Sequence, residues 1–172
     1  MLIYQGIPRK KKYFQESSEY DMDNIRWEGS ESFDKEKMAR VNAAFKDYGI
    51  NIPAKLASFL KSHSNATPYP NFFDTNTYKE LVLQHLVSVD MDRYENLYRV
   101  YQDDISDGFR RNGFYPIAIV TSVNDLAYLA SDPKGVIYLY YPDMGDIEKV
   151  ASSFDELLNK LYSNPDVVGY QG

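Results

Sequence analysis

No cysteine occurs in the 172 residues, which excludes disulfides and thiolate metal sites and is consistent with a reducing compartment. Histidine is nearly as scarce, with only His63 and His85. Two isolated imidazoles without cysteine give no recognisable ligand spacing, so no metal or cofactor is expected. His85 falls in an alternating apolar stretch and reads as a half-buried, satisfied side chain. His63 closes a predicted helix, where a cation is mildly favoured. No apolar run approaches the ~20 residues needed to span a bilayer. Met1–Ile7 lacks the long apolar core of a signal peptide, so the cytoplasm is the expected location. G-x-S-x-G, the P-loop and G-x-G-x-x-G are also missing. Acid pairs such as Asp90/Asp92 and Asp103/Asp104 could do acid–base work only at a suitable separation in space, and adjacent acids on loops are usually just solvated. The expectation is a protein that is not an enzyme.

Positive charge is in deficit too: 25 acids stand against 19 bases, for a net charge of −6. Phosphate binding draws on Lys and Arg, so nucleic acid is not an expected partner. A negative surface favours basic partners and speeds their encounter, and it also maintains solubility. Tyrosine is abundant, at 16 residues beside 9 Phe and 1 Trp, within a hydrophobic share of 44%. That is a globular composition. Tyr buries area while keeping a polar handle, which suits recognition, although any single Tyr fits the edge of a core equally well.

The length predicts one domain. Residues 1–30 read as an N-terminal arm and 31–172 as the folded unit. Arg9, Lys10, Lys11 and Lys12 form a basic run. Residues 13–36 then hold eight acids against Arg26 and Lys35, which reads as a solvated arm rather than a membrane contact. Leu2-Ile3-Tyr4 could add an edge strand, and Trp27 is the arm's anchor if it packs. Met38, Val41, Phe45 and Tyr48 predict a helix over 33–48, started by Ser32 or Asp34 and stopped by Gly49. Pro53 opens a second helix to about 63, with Leu56, Phe59 and Leu60 on its apolar face. The short link between them predicts that the two pack as neighbours. A polar break spans 64–76.

Leu81, Leu83, His85, Val87 and Val89 then alternate as a strand with one buried face. Asp90 or Asp92 with Glu95 would cap a helix carrying Tyr94, Leu97, Tyr98 and Tyr101. Asp103 and Asp104 suit that helix's C-terminus badly, which implies an early end or a role for these acids elsewhere. Strands are predicted at 115–120, 125–130, 136–141 and 147–151, with a Pro-Gly turn at 131–135. Ser153 and Glu156 form a capping box ahead of Phe154, Leu157, Leu158 and Leu161. Helices, then hairpins, then a helix make an α+β fold: a mainly antiparallel sheet with N-terminal helices and a C-terminal helix packed against it.

This layout resembles the SUKH superfamily, which includes the fungal cell-wall regulators of the Smi/Knr type and many bacterial immunity proteins. Three stretches carry the resemblance. Asn51–Leu60 looks like the family's "LP…l..FL" helix, Phe114–Ala118 like its "f.Pia" strand entry, and Val150–Leu158 like its "a.SFdefl" signature. The resemblance covers about residues 33–162. Two features depart from the pattern. Ser64-Asn65-Ala66-Thr67 stands where Asn-Gly-Gly is frequent, and Asn124-Asp125 replaces a Gly-Asp pair.

Acids and aromatics interleave in two places. One set runs through Tyr94, Glu95, Tyr98, Tyr101, Asp103, Asp104 and Asp107. The other holds Asp143, Asp146 and Glu148 beside Tyr140 and Tyr141. Acidic rims around aromatic anchors suit a basic protein partner. The candidate partner-binding residues are therefore Tyr98, Tyr101, Asp103, Asp104, Asp107, Tyr141, Asp143, Asp146 and Glu148. The resemblance implies an immunity protein that binds and occludes a basic toxin domain, such as a nuclease. A regulatory scaffold is the alternative, and a small-ligand-binding domain is a further one.

Overall fold

A computed structural model describes residues 24–121 and 126–166. The Leu2-Ile3-Tyr4 strand, the basic run at 9–12 and Asn124-Asp125 lie outside these. Strand β1 (Arg26–Glu28) comes first, followed by helix α1 (Lys35–Lys46). Asp34 starts α1 by accepting the Glu36 N–H at 2.8 Å, and Met38, Val41 and Phe45 are buried along it. Gly49, at φ +70°, turns the chain just past its end. Tyr48 lies beyond the helix and is partly exposed.

Helix α2 (Ala54–His63) follows Pro53 and buries Leu60, leaving Leu56 and Phe59 half-buried. The expected packing of α1 against α2 is not what dominates. The main helical neighbour of α1 is α3 (Leu97–Asp103), because Phe45 sits 4.4 Å from the Tyr101 ring and 6.1 Å from Tyr98. Large aromatics brought into contact outweigh the shortness of a link.

The polar break contains two short strands, β2 (Thr67–Tyr69) and β3 (Phe72–Phe73). Three and two residues are too few to show a period. Asn65 takes φ +65°, so it supplies the left-handed backbone that Asn tolerates and Gly otherwise provides. Strand β4 (Leu81–Leu86) ends earlier than its alternation predicts. A register shift between Leu83 and His85 breaks the pattern, and Leu81, Val82 and Leu83 are buried in succession. Both faces are covered there, not one. Asn96 caps α3, accepting the Arg99 N–H at 2.8 Å. Asp90 instead folds its own loop, accepting the Asp92 N–H at 3.0 Å. Tyr94, 77% exposed, lies outside the helix.

A short helix α4 (Asp107–Arg111) leads into a meander of strands β5 (Tyr115–Thr121), β6 (Leu126–Ser131), β7 (Ile137–Tyr141) and β8 (Asp146–Ala151). The six-stranded sheet runs β3-β4-β5-β6-β7-β8, antiparallel throughout, and β1 pairs separately with β2. Gly113, at φ +83°, lets the chain pass beneath Pro133; a Cβ there would lie 2.6 Å from the proline ring. Helix α5 (Phe154–Lys160) starts at Ser153, whose Oγ accepts the Glu156 N–H at 3.1 Å. The Glu156 carboxylate returns to the Ser152 N–H at 2.6 Å, one residue ahead of a reciprocal box. Leu157, Leu158 and Leu161 are buried. Fully burying one such side chain is worth about 1.5–3 kcal/mol. The fold is α+β, as expected.

Candidate protein-binding surface

Tyr128 and Tyr140 are cross-strand partners on β6 and β7, and both are buried. The Tyr128 hydroxyl donates to the Asp104 carboxylate, and the Tyr140 hydroxyl accepts the Ser106 N–H at 3.1 Å. These two bonds seat α3 and α4 on that side of the sheet. Of the five candidates there, Tyr101 is fully buried and cannot touch a partner. Burial pushes its phenol pKa up. Tyr98 is half-buried, and burial followed by its hydrogen bond with Tyr48 raises its phenol too.

The three acids of this set all have cationic partners. Arg99 Nη1 lies 3.8 Å from Asp103 and 3.6 Å from Asp104. Asp107 faces Arg111 at 2.6 Å and Arg110 at 3.5 Å. The awkward acidic end of α3 is also resolved in space. Arg110 Nη1 donates to the carbonyls of Tyr101 (3.3 Å), Ile105 (3.0 Å) and Gln102. A cation absent from the helix's own last turn thus reaches its C-terminal carbonyls from α4. The acids 103, 104 and 107 form a neutralised lattice rather than a bare negative rim.

The second set lies where β7 turns into β8, at the end of the sheet defined by the Tyr141–Asp146 pair. Tyr141 is buried, its ring 5.5 Å from Tyr78, so it too is removed from the surface. Glu148 is half-buried and accepts the N–H and Oγ–H of Thr77, each at 3.1 Å. Asp143 and Asp146 are exposed, and no cation lies within ion-pair distance of either among the described residues. Met144 (56% exposed), Ile147 (38%) and, across the sheet end, Leu126 (48%) supply apolar area beside them. Sequence patterning missed these apolar neighbours, because isolated aliphatics in a hairpin look like core.

A cleft of about 250 Å³ opens at the other end of the sheet, where Ser131, Ile137 and Tyr115 are register neighbours. It is walled by Leu56 and Phe59 of α2, Pro133 and Lys134 of the β6–β7 turn, and Ser152–Phe154. All three stretches that carry the family resemblance reach it. Phe59 meets Phe154 edge-on at 4.6 Å. On its other side Phe59 lies 6.0 Å from Trp27, which stacks on His63 at 4.2 Å. Trp27 thus fastens β1 against α2, and burial lowers the His63 pKa.

One buried cluster had no sequence signal at all. The Glu31 carboxylate, 7% exposed, accepts hydrogen bonds from Ser64 Oγ, Ser88 Oγ (2.6 Å) and Arg93 Nε (2.7 Å). Burial alone would raise its pKa, but these three donors together hold it below the ordinary value. Among the described residues, no group of three or more His, Cys, Asp or Glu could hold a metal, and no helix is long and apolar enough to cross a membrane. His85 is half-buried, its ring nitrogens 2.9 Å from the Leu86 carbonyl and 3.1 Å from Glu95.

The model of one protein family, described as the SMI1 / KNR4 family (SUKH-1), matches residues 37–160. No curated protein and no solved structure matches the chain.

Proposed function

The chain belongs to the SMI1 / KNR4 family (SUKH-1), and from that premise we propose that it is an immunity-type binding protein that occludes a basic toxin domain. Membership supports an immunity protein or a Smi1/Knr4-type regulator in general, a class that is generally non-enzymatic. The observation that carries the finer reading is the pair Asp143 and Asp146. They are exposed and uncompensated among the described residues, and apolar area flanks them. Such a patch combines a desolvatable anchor with a charge that steers a cationic groove towards it. The contact residues proposed are Asp143, Met144, Asp146, Ile147 and Glu148, with Asp103 and Asp107 at a more distant, self-neutralised rim.

The mechanism is steric and electrostatic, with no bond made or broken. The test is binding of the purified product of the neighbouring gene by the wild type and by Asp143→Lys/Asp146→Lys. The double reversal should slow association about tenfold or more at low salt, and the gap should close as salt rises. Equal association rates for the two proteins at low salt would refute the electrostatic reading.

A further inference from the structure

We propose that the cleft between α2, the β6–β7 turn and the start of α5 is a binding site for a small amphiphile with an apolar body and one anionic group. Its walls are chiefly apolar, with Leu56, Phe59, Tyr115, Ile137 and Phe154 converging on it. Its volume, about 250 Å³, is below the roughly 300–1,000 Å³ usual for drug-sized ligands. One aliphatic chain or one ring is the scale that fits.

Charge at the mouth sets the preference. Two lysines line the cleft, Lys55 and Lys134. Lys55 Nζ is held by Asp155 at 2.9 Å. Lys134 is exposed, and among the described residues no carboxylate lies within ion-pair distance of its ammonium. The nearest acid in sequence, Asp132, turns one carboxylate oxygen to the Lys134 and Val136 N–H groups, at 2.9 and 3.0 Å. Among the residues that line the cleft, the one charge without an ion-pair partner is therefore positive, in a chain whose net charge is −6. A carboxylate reaching Lys134 while its tail enters the cleft satisfies both features, whereas an ammonium of the same length meets repulsion. The site lies at the opposite end of the sheet from Asp143 and Asp146, so it stands or falls independently of the proposed partner surface.

Titration of the full-length, isotope-labelled protein with octanoate and with octylamine tests this. Octanoate should give saturable amide shifts at Ile117, Ser131, Gly135 and Ser153. Octylamine should bind about tenfold more weakly. Lys134→Glu, on an exposed turn, should reverse that order. Leu56→Trp, which fills the cleft from a half-buried position, should abolish both titrations while leaving the amide spectrum folded and the 143–147 region unshifted. The proposal is overturned if octanoate produces no saturable shift at these amides. It is equally overturned if the two ligands bind alike and neither variant changes that.

Discussion

Replacing Glu31 by alanine removes a single carboxylate that joins four parts of the chain. Its partners are Ser64 at the end of α2, Ser88 after β4, and Arg93 in the loop before α3. Ser64 and Ser88 are 0% and 1% exposed, so both hydroxyls would lose their acceptor away from bulk water. An unsatisfied buried group costs roughly 1–3 kcal/mol. Rotation of the hydroxyls recovers part of this, although each oxygen is already fixed by accepting a backbone N–H, from Val89 and from Asp90, at 2.9 Å. Arg93 is half-exposed and adds at most about 1 kcal/mol, because water screens it.

The expected loss for Glu31→Ala is about 3 kcal/mol, which for a domain of this size lowers Tm by about 6–12 °C. Glu31→Gln keeps an acceptor and loses the charge, and should cost about half as much. The folded pKa is depressed relative to the ordinary 4.5. The carboxylate's contribution is therefore fully present above pH 4.5 and fades as pH falls through the lower folded value. Urea unfolding of wild type and variant at pH 7, 5 and 3.5 measures this. The difference in ΔG should be constant from pH 7 to 5 and shrink at 3.5. A Glu31→Ala protein within 0.5 kcal/mol of wild type at pH 7 would refute the view that this carboxylate ties the end of α2, the segment after β4 and the loop before α3 together.

Trp27→Ala should cost about 2 kcal/mol, less than the ~3–5 of a fully buried aromatic because Trp27 is only half-buried. Limited proteolysis should then cut near residues 24–31 first, and unchanged proteolysis would count against Trp27 as a fastener. Arg110→Lys should destabilise nearly as much as Arg110→Ala, by about 1–2 kcal/mol, since an ammonium cannot fan across the carbonyls of Tyr101 and Gln102 in the last turn of α3 and of Ile105 just beyond it. Chemical denaturation of both variants decides it, and full rescue by lysine would show that only charge matters there. The Tyr128 hydroxyl donates to Asp104, so Tyr128→Phe should cost about 1–2 kcal/mol. A neutral result would mean Arg99 alone satisfies that carboxylate.

Much of this protein was legible along the chain, because periodic elements write their period into neighbouring residues. The apolar stripe of α1, the capped start of α5 and the β5–β8 meander all follow from spacings of two or of three and four. The placement of β2, β3 and α4 did not, since elements of two to five residues repeat too little to leave a pattern. Contacts over long sequence separations were equally invisible. Glu31 meets Ser64, Ser88 and Arg93 across 33, 57 and 62 residues, and only the folded chain brings them together. The acid–aromatic interleaving suggested two equivalent rims. Three dimensions separated them, burying Tyr101 and Tyr141, pairing Asp103, Asp104 and Asp107 with arginines, and leaving Asp143 and Asp146 bare. By itself the sequence determined the fold class, the family layout and the surplus of negative charge, since all three are properties of local order and composition. Which acids face solvent uncompensated, and where a cleft opens, was decided by tertiary structure, because exposure and pairing depend on what packs alongside rather than on what comes next.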